Sequence, residues 1–115
     1  MENNNLISWS DFEKIDLRVG TILEVNDFPE AKKPAFQLKI DFGESLGVLK
    51  SSAQITMRYS KEDLVNRQIV AVVNFPKKQI GKFMSECLVL GAVENEGDVV
   101  LLNPDFRVEN GSKIG

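Results

Sequence analysis

The segment NFPKKQIGKFM, residues 74–84, concentrates positive charge in a 115-residue chain whose formal net charge is −3. Lys77, Lys78 and Lys82 lie within six positions and are interleaved with apolar side chains. Lysine ammonium groups bind phosphate, whereas flexible apolar side chains such as that of Met84 accept varied peptide side chains. The segment therefore predicts either a solvated turn between two strands or the contact surface of a binding protein.

Catalytic chemistry is not indicated by the side chains that the chain provides. It contains no histidine, so it has no Ser-His-Asp or Cys-His relay, and its single cysteine cannot form a zinc cluster. Its eight glycines match neither the dinucleotide-binding fingerprint nor the P-loop. We therefore expect a protein that is not an enzyme, with no metal and no cofactor, in which Cys87 is an inert core residue.

Charge is distributed unevenly along the chain. Residues 50–90 carry seven Lys/Arg and three Asp/Glu, a balance of +4, between two acidic ends. Lys32 and Lys33 add two further candidates for phosphate contact. The basic middle favours an anionic partner, whereas the overall acidity argues against a dedicated nucleic-acid binder.

The apolar runs are short. IVAVV at 69–73 and VVLL at 99–102 fall far below the ~20 residues of a membrane-spanning helix. The first residues, MENNNLISW, lack the basic start and apolar core of a signal peptide, and one cysteine permits no internal disulfide. These features predict a cytoplasmic protein without membrane insertion.

The elements that must position the candidate residues are short strands. Alternation of apolar and polar residues predicts five or six of them, at 17–25, 35–42, 47–56, 67–75, 86–93 and 98–104. Gly20 interrupts the first strand, as at a bulge or in a sharply coiled barrel strand. SDFE at 10–13 has the form of a capping box and predicts a one-turn helix with Ser10 as its N-cap. Ser60 is expected to cap a second short helix.

The second helix falls between the third and fourth predicted strands. This is the arrangement of the OB-fold, an all-β, five-stranded Greek-key barrel. The length fits a single domain over residues 1–115, with a core at roughly 11–105 and terminal extensions. Residues 74–84 are then the exposed approach to an apolar strand.

The third predicted strand presents an unusual polar face. Lys50, Ser52 and Gln54 alternate with Ser51 and Ala53, so the two sets lie on opposite faces. Serine and glutamine both donate and accept hydrogen bonds, so they can pair with the backbone of an extended peptide. Polar residues on a strand are also commonly just solvated, and the spacing leaves both interpretations open.

Four segments together resemble one family: DFEKIDLRVGTILEV at 11–25, KSSAQIT at 50–56, NRQIVAVVNFPKKQIGKFMSECLVLG at 66–91 and VVLLNPD at 99–105. They are similar to CsaA, a family of bacterial export-related chaperones within the tRNA-binding-domain superfamily. The patterns D-x-R-V-G, starting at Asp16, and S-E-x-L-V-L-G, starting at Ser85, are shared with that superfamily. It includes domains appended to methionyl-tRNA and phenylalanyl-tRNA synthetases.

The resemblance implies a homodimer of OB-fold subunits that pair through the segments before and after the barrel. It also implies a hydrophobic pocket for unfolded or presecretory polypeptides, with the export machinery as a further partner. Superfamily members bind tRNA by shape and backbone instead. Two hypotheses follow, a chaperone-like peptide binder and a tRNA-binding module.

Both hypotheses place the site on the same face of the barrel. Glu86 is expected there either to orient Lys82 or to cap the pocket rim through hydrogen bonds. The predicted site residues are Phe36, Lys50, Ser51, Ser52, Gln54, Phe75, Lys77, Lys78, Lys82, Met84, Ser85 and Glu86.

Overall fold

The computed structural model describes residues 5–115 as a curled antiparallel sheet with two small hairpins. In chain order its elements are α1 (Trp9–Glu13), β1 (Leu17–Asp27), β2 (Phe36–Asp41), β3 (Val48–Ala53), α2 (Lys61–Leu64), β4 (Gln68–Val72), β5 (Lys78–Ile80), β6 (Phe83–Ser85), β7 (Leu88–Val89), β8 (Gly91–Asn95) and β9 (Asp98–Leu101). The five-stranded sheet has the order β3-β2-β1-β4-β7, and α2 separates β3 from β4 in the chain. The predicted OB-fold barrel is confirmed.

The barrel core is filled by alternate residues of β2 and by the whole of β4. Leu38 and Ile40 are fully buried while Lys39 between them is exposed, as the alternation predicts. All five residues of β4 are buried, since this strand lies between β1 and β7. Phe36, predicted as a site residue, packs instead in the core cluster, because it lies on the same face of β2 as Leu38 and Ile40.

Gly20 of β1 lies close to the side chains of Ile40, in β2, and Phe42, the residue that follows β2. A Cβ atom added there would lie 2.7 Å from Cγ2 of Ile40 and 2.8 Å from the ring of Phe42, so only glycine fits without a shift. The bulge lies elsewhere, because the register of β1 against β2 changes between Ile22 and Glu24. The predicted bulge at Gly20 is therefore wrong, and glycine at this position instead leaves room for the side chains of Ile40 and Phe42.

The first helix begins two residues earlier than predicted. Ser8 is its N-cap: Ser8 Oγ accepts a hydrogen bond from the Asp11 N–H at 3.1 Å, and the Asp11 carboxylate accepts one from the Ser8 N–H at 3.0 Å. Ser10 therefore lies inside the helix, because Asp11 already completes the capping box that Glu13 was expected to form. The second helix has the predicted N-cap, Ser60.

The C-terminal segment, residues 107–114, belongs to the barrel wall. It runs beside the first half of β1, where the Val19 N–H donates to the Ser112 carbonyl at 3.0 Å. Arg18 Nη1 donates to the Gly111 carbonyl at 3.1 Å, which gives the arginine of the D-x-R-V-G pattern a structural role. The segment covers the part of the β1 edge that β2 does not reach.

Two further differences concern the second half of the chain. Residues 74–84, expected as an exposed approach, contain all but the last residue of the β5–β6 hairpin, which turns at Gly81 with a φ of +58°. The strand predicted at 86–93 is divided into β7 and β8, which belong to different sheets. Three-residue strands carry too few alternations to be recognised from a sequence. No helix in residues 5–115 is long and apolar enough to cross a membrane.

The close approach at Gly20 is directly testable. We expect Gly20→Ala to lower the free energy of unfolding by about 1–3 kcal/mol, because the added methyl group overpacks against β2. Urea denaturation followed by circular dichroism measures this change. Gly115→Ala is the control, since nothing lies within 4 Å of the added atom, and it should change stability by less than about 0.5 kcal/mol. A Gly20→Ala protein as stable as the parent would contradict the crowding.

Candidate functional site

A cleft of about 540 Å³ lies between the loop before β2 and the β5–β6 hairpin, and we call it the basic cleft. Ser52 and Gln54, at the end of β3, form part of its wall. Its other lining residues are Glu30, Ala31, Lys32, Lys33, Ala35, Lys78, Gln79, Ile80 and Gly81. The loop after the first barrel strand and the loop between the fourth and fifth are the ones that bind ligands in OB-folds.

The lining of the cleft carries more positive than negative charge, with Lys32, Lys33 and Lys78 against the one carboxylate of Glu30. Lys33 pairs with Glu96 at 3.9 Å, and both side chains are exposed, so this pair contributes little. Four other lysines on or beside the cleft make no ion pair in the described part of the chain: Lys32, Lys50, Lys78 and Lys82. The ammonium group of Lys50 instead lies 5.3 Å from the ring centroid of Phe83. The surface therefore attracts anionic groups.

The predicted alternation of β3 decides which of its polar residues reach the surface. Ser52 and Gln54 line the basic cleft, as expected for one face of the strand. Ser51 lies on the other face, where it is fully buried and its hydroxyl donates to the Cys87 carbonyl at 3.0 Å. The Ser51 side chain therefore lies in the barrel interior and does not belong to the predicted binding surface.

Side chains of Ser85 and Glu86 close the gap between the two edge strands of the sheet, β3 and β7, which we call the seam. The Lys50 N–H donates to the Glu86 carboxylate at 2.9 Å, and the Ser52 N–H donates to Ser85 Oγ at 3.1 Å. The Glu86 N–H donates in turn to the Lys50 carbonyl at 2.7 Å. The first two residues of the S-E-x-L-V-L-G pattern thus satisfy edge amides of β3.

Glu86 also forms an ion pair, but with a different lysine from the one that the sequence predicts. Its carboxylate lies 3.4 Å from Nζ of Lys77, whereas Lys82, the expected partner, is on the hairpin turn. The Glu86 side chain is only 17% exposed, so its oxygens are largely held by protein groups. The alternative prediction, that Glu86 caps a rim through hydrogen bonds, describes its position better.

A second, apolar pocket of about 260 Å³ adjoins the seam. Phe75 is 55% exposed and Leu88 is 46% exposed, which is unusual for side chains of this size. The lining residues are Phe75, Pro76, Lys78, Ser85, Cys87 and Leu88. The sequence did not predict Leu88 as a site residue, because it was expected in a fully buried strand. Its position next to Cys87, which is buried, was the available signal that Leu88 faces outward.

The remaining predicted residues lie on the β5–β6 hairpin. Met84 is half-buried opposite Gln79 and lines neither the basic cleft nor the apolar pocket. Lys82 follows the turn at Gly81. Phe83 packs against Phe28 with ring centroids 5.3 Å apart, which ties the hairpin to the loop after β1.

Cys87 is buried at the wall of the apolar pocket. Burial raises the pKa of its thiol to about 12. The thiolate, which is the reactive form, is therefore almost absent near neutral pH. The buried position of Cys87 is the one that the sequence predicts.

Closure of the seam by Glu86 has a measurable energetic consequence. We expect Glu86→Ala to lower the free energy of unfolding by about 1–3 kcal/mol, because the Lys50 N–H loses its acceptor. Glu86→Gln, which keeps an oxygen, should cost less. Lys77→Ala is the control, since it removes only an exposed ion-pair partner and should cost less than about 1 kcal/mol. Equal urea midpoints for Glu86→Ala and Lys77→Ala would contradict the closure.

Comparison with known proteins identifies relatives of two kinds. The family model tRNA_bind, described as "Putative tRNA binding domain", matches residues 17–113. The crystal structure of chaperone CsaA from Bacillus anthracis str. Ames is 54% identical, with a TM-score of 0.91, over 96% of this chain and 99% of that one. CsaA chaperone protein from Picrophilus torridus is 56% identical, with a TM-score of 0.89, over 96% and 100%.

A curated relative of the second kind is methionine–tRNA ligase from Thermococcus onnurineus, which is 38% identical over 108 residues. The match covers 94% of this chain but only 14% of that ligase, so the chain spans a small part of the length of the curated relatives it matches. The shared part corresponds to a tRNA-binding domain and not to a catalytic one. The chain therefore belongs to the tRNA-binding domain family and, within it, to the CsaA proteins.

Proposed function

We propose that this protein is a non-enzymatic, chaperone-like binder of unfolded or presecretory polypeptides that assists protein export as a homodimer. The observation that carries the proposal is the apolar pocket formed by exposed Phe75 and Leu88 beside the basic cleft. The two CsaA chaperone structures match nearly the whole chain at more than half identity and support the same assignment.

The chemistry of the two neighbouring surfaces suits a client that is not folded. Burial of apolar side chains in the pocket contributes about 25 cal/mol per Å², before the entropic cost of ordering the client. This contribution does not depend on sequence, so many apolar segments can bind. The lysines around the basic cleft add a longer-range attraction for acidic groups, which salt weakens.

The homodimer is supported by apolar groups at the chain ends. Leu6, Ile7 and Trp9 are each about 70% exposed or more, and Phe106 near the other end is 80% exposed. Ile7, Trp9 and Gly115 line one shallow cavity of about 460 Å³, so the segment around α1 lies beside the last residue there. An exposed apolar patch such as that of Ile7 and Trp9 marks an interaction surface. We propose that two copies bury it against each other.

tRNA binding is the second candidate, and the lysines that line the basic cleft are the observation that favours it. Contacts to phosphate from such lysines are independent of base sequence. Base stacking has little support at Tyr59 and Trp9, because the guanidinium carbon of Arg67 lies 5.2 Å from the Tyr59 ring centroid and Trp9 lies in α1. On this hypothesis tRNA is held through its backbone.

Suppression of aggregation separates the two candidates. We expect the protein to suppress the aggregation of reduced, unfolded lactalbumin, and Leu88→Ala to weaken this effect severalfold because it removes apolar contact area. Leu23→Ala is the matched control, since Leu23 is 47% exposed and Leu88 46%. Lys82→Gln should change suppression less than about twofold at ~0.15 M salt.

Salt titration of tRNA binding provides the opposing result. If tRNA binds tightly, Lys82→Gln lowers the salt slope by about one, and lactalbumin aggregation is unaffected by the protein, then the tRNA-binding hypothesis replaces the chaperone proposal.

The dimer is tested by sedimentation at micromolar concentration. We expect a dimer mass for the parent protein and a monomer mass for Ile7→Asp, because a buried charge without a partner opposes association. Val93→Asp is the matched control, since Val93 is 71% exposed and Ile7 70%, but Val93 lies on the β8–β9 hairpin. A monomer mass for the parent protein would overturn the dimer.

A further inference from the structure

The seam between β3 and β7 is closed at one end only. At that end, the Lys50 and Ser52 N–H groups of β3 donate hydrogen bonds to the side chains of Glu86 and Ser85, respectively. Beyond Ser52, no hydrogen bond in the described part of the chain joins residues 53–55 to residues 88–90. A cleft of about 340 Å³ lies in this open part, with both edge strands among its lining, and we call it the open seam.

Backbone groups of both edges point into the open seam. Alternate residues of a strand direct their N–H and C=O groups to the same side, and the Lys50 and Ser52 amides point away from β2. Gln54 directly follows the last residue of β3, continues this alternation and makes no hydrogen bond within residues 5–115. On the facing edge the Leu90 N–H donates to the Val70 carbonyl at 2.9 Å, so the backbone of the preceding residue faces away from β4.

The closed end of the seam is joined by side-chain and backbone bonds together. The Ser85 hydroxyl and the Glu86 carboxylate accept from the β3 amides in place of carbonyl groups of a partner strand. The Glu86 N–H donates directly to the Lys50 carbonyl at 2.7 Å. Regular pairing of β3 with β7 therefore does not form, and the backbone groups beyond Ser52 remain available to another strand.

The walls of the open seam match the chemistry of an extended polypeptide. Leu88 and Val93 are both exposed there, and Ile55 and Val99 lie in the same cleft. Unpaired strand edges bind another strand through backbone hydrogen bonds, while its alternate side chains enter pockets. A nucleic acid backbone has no such alternation of donors and acceptors, and these apolar walls carry no charge for its phosphates.

One end of the open seam is charged. The open seam shares Ser52 and Gln54 with the basic cleft, so the two surfaces are continuous. Lys32 and Lys78 line the basic cleft and make no ion pair among the described residues. A segment that lies in the open seam therefore gains most when its end toward the basic cleft carries an acidic side chain.

We propose that the open seam binds one extended polypeptide segment by strand addition. The segment pairs with the β3 edge at Gln54, places alternate apolar side chains against Leu88 and Val93, and directs an acidic residue toward Lys32 and Lys78. The inference rests on the proposed function, since the segment belongs to an unfolded client. It adds a binding mode and a preferred client chemistry to that function.

The experiment uses the full chain and a fluorescent peptide with the sequence EVTVTVE, whose acidic ends serve either strand direction. Single backbone N-methyl groups are placed at each position in turn, and affinity is measured by fluorescence anisotropy. The segment is proposed to pair through its backbone with the β3 edge alone and to meet β7 through side chains. Methylation removes one donor, so it should weaken binding about tenfold or more at the alternating positions whose N–H faces β3 and less than about twofold at the others. Replacing both glutamates by glutamine should weaken binding at low salt and have little effect at high salt.

The outcomes distinguish this inference from the proposed function. Binding with no alternation in the methyl scan overturns strand addition and leaves the chaperone function intact. Suppression of lactalbumin aggregation without any affinity for the peptide also overturns it. If the protein neither binds the peptide nor suppresses aggregation, both proposals fail. If the apparent affinity for the peptide falls as the protein concentration rises, a second copy of the protein covers the open seam. That result overturns the inference.

A protein variant gives an independent check. Gln54→Pro removes the backbone donor at the β3 edge, and Gln54→Ala is the matched control that keeps it. We expect the proline variant alone to lose about tenfold or more in peptide affinity. Circular dichroism and the urea midpoint verify its fold, and the methyl scan on the parent protein decides the question if the variant does not fold. Equal affinities for folded Gln54→Pro and Gln54→Ala overturn the pairing at this position.

Discussion

The side-chain closure of the barrel is the interaction on which the surface of this protein depends. Ser85 and Glu86 satisfy two edge amides of β3 that a neighbouring strand would otherwise pair. Because buried amides need acceptors, this solution closes the barrel at one end while leaving its two edges unpaired at the other. The same carboxylate holds Lys77 at the base of the β5–β6 hairpin. Glu86 thus contributes both to the stability of the barrel and to the geometry of its surface.

The hairpin brings two chemistries together. Lys78 lines both the basic cleft and the apolar pocket, so a single strand borders a charged and an apolar surface. Coulomb attraction from exposed lysines acts over about a Debye length and selects anionic partners, whereas apolar contact acts only on touching groups. The two proposed partners, polypeptide and tRNA, differ in which of these two surfaces they would use more.

Alternation predicted the parts of the fold in which one strand face is buried. The strand at 35–42 has its apolar residues in the core, and Ser51 and Ser52 lie on opposite faces of β3, as their positions require. The same alternation places Ser51 and Phe36 inside the barrel, although the sequence also suggested them for the site. The first helix was predicted two residues late because aspartate and glutamate fit a capping box equally well. The β5–β6 hairpin was missed because its strands are only three residues long.

The sequence by itself determined the all-β class, the helix between the third and fourth barrel strands, the family and the basic segment, because each follows from local residue order. Tertiary structure alone decided that Glu86 pairs with Lys77, that Leu88 is exposed beside Phe75, and that the seam is open at Gln54. These features join residues that are far apart in the chain or depend on the spacing between strand edges. No local periodicity encodes that spacing, which depends on how the two edge strands meet when the barrel closes.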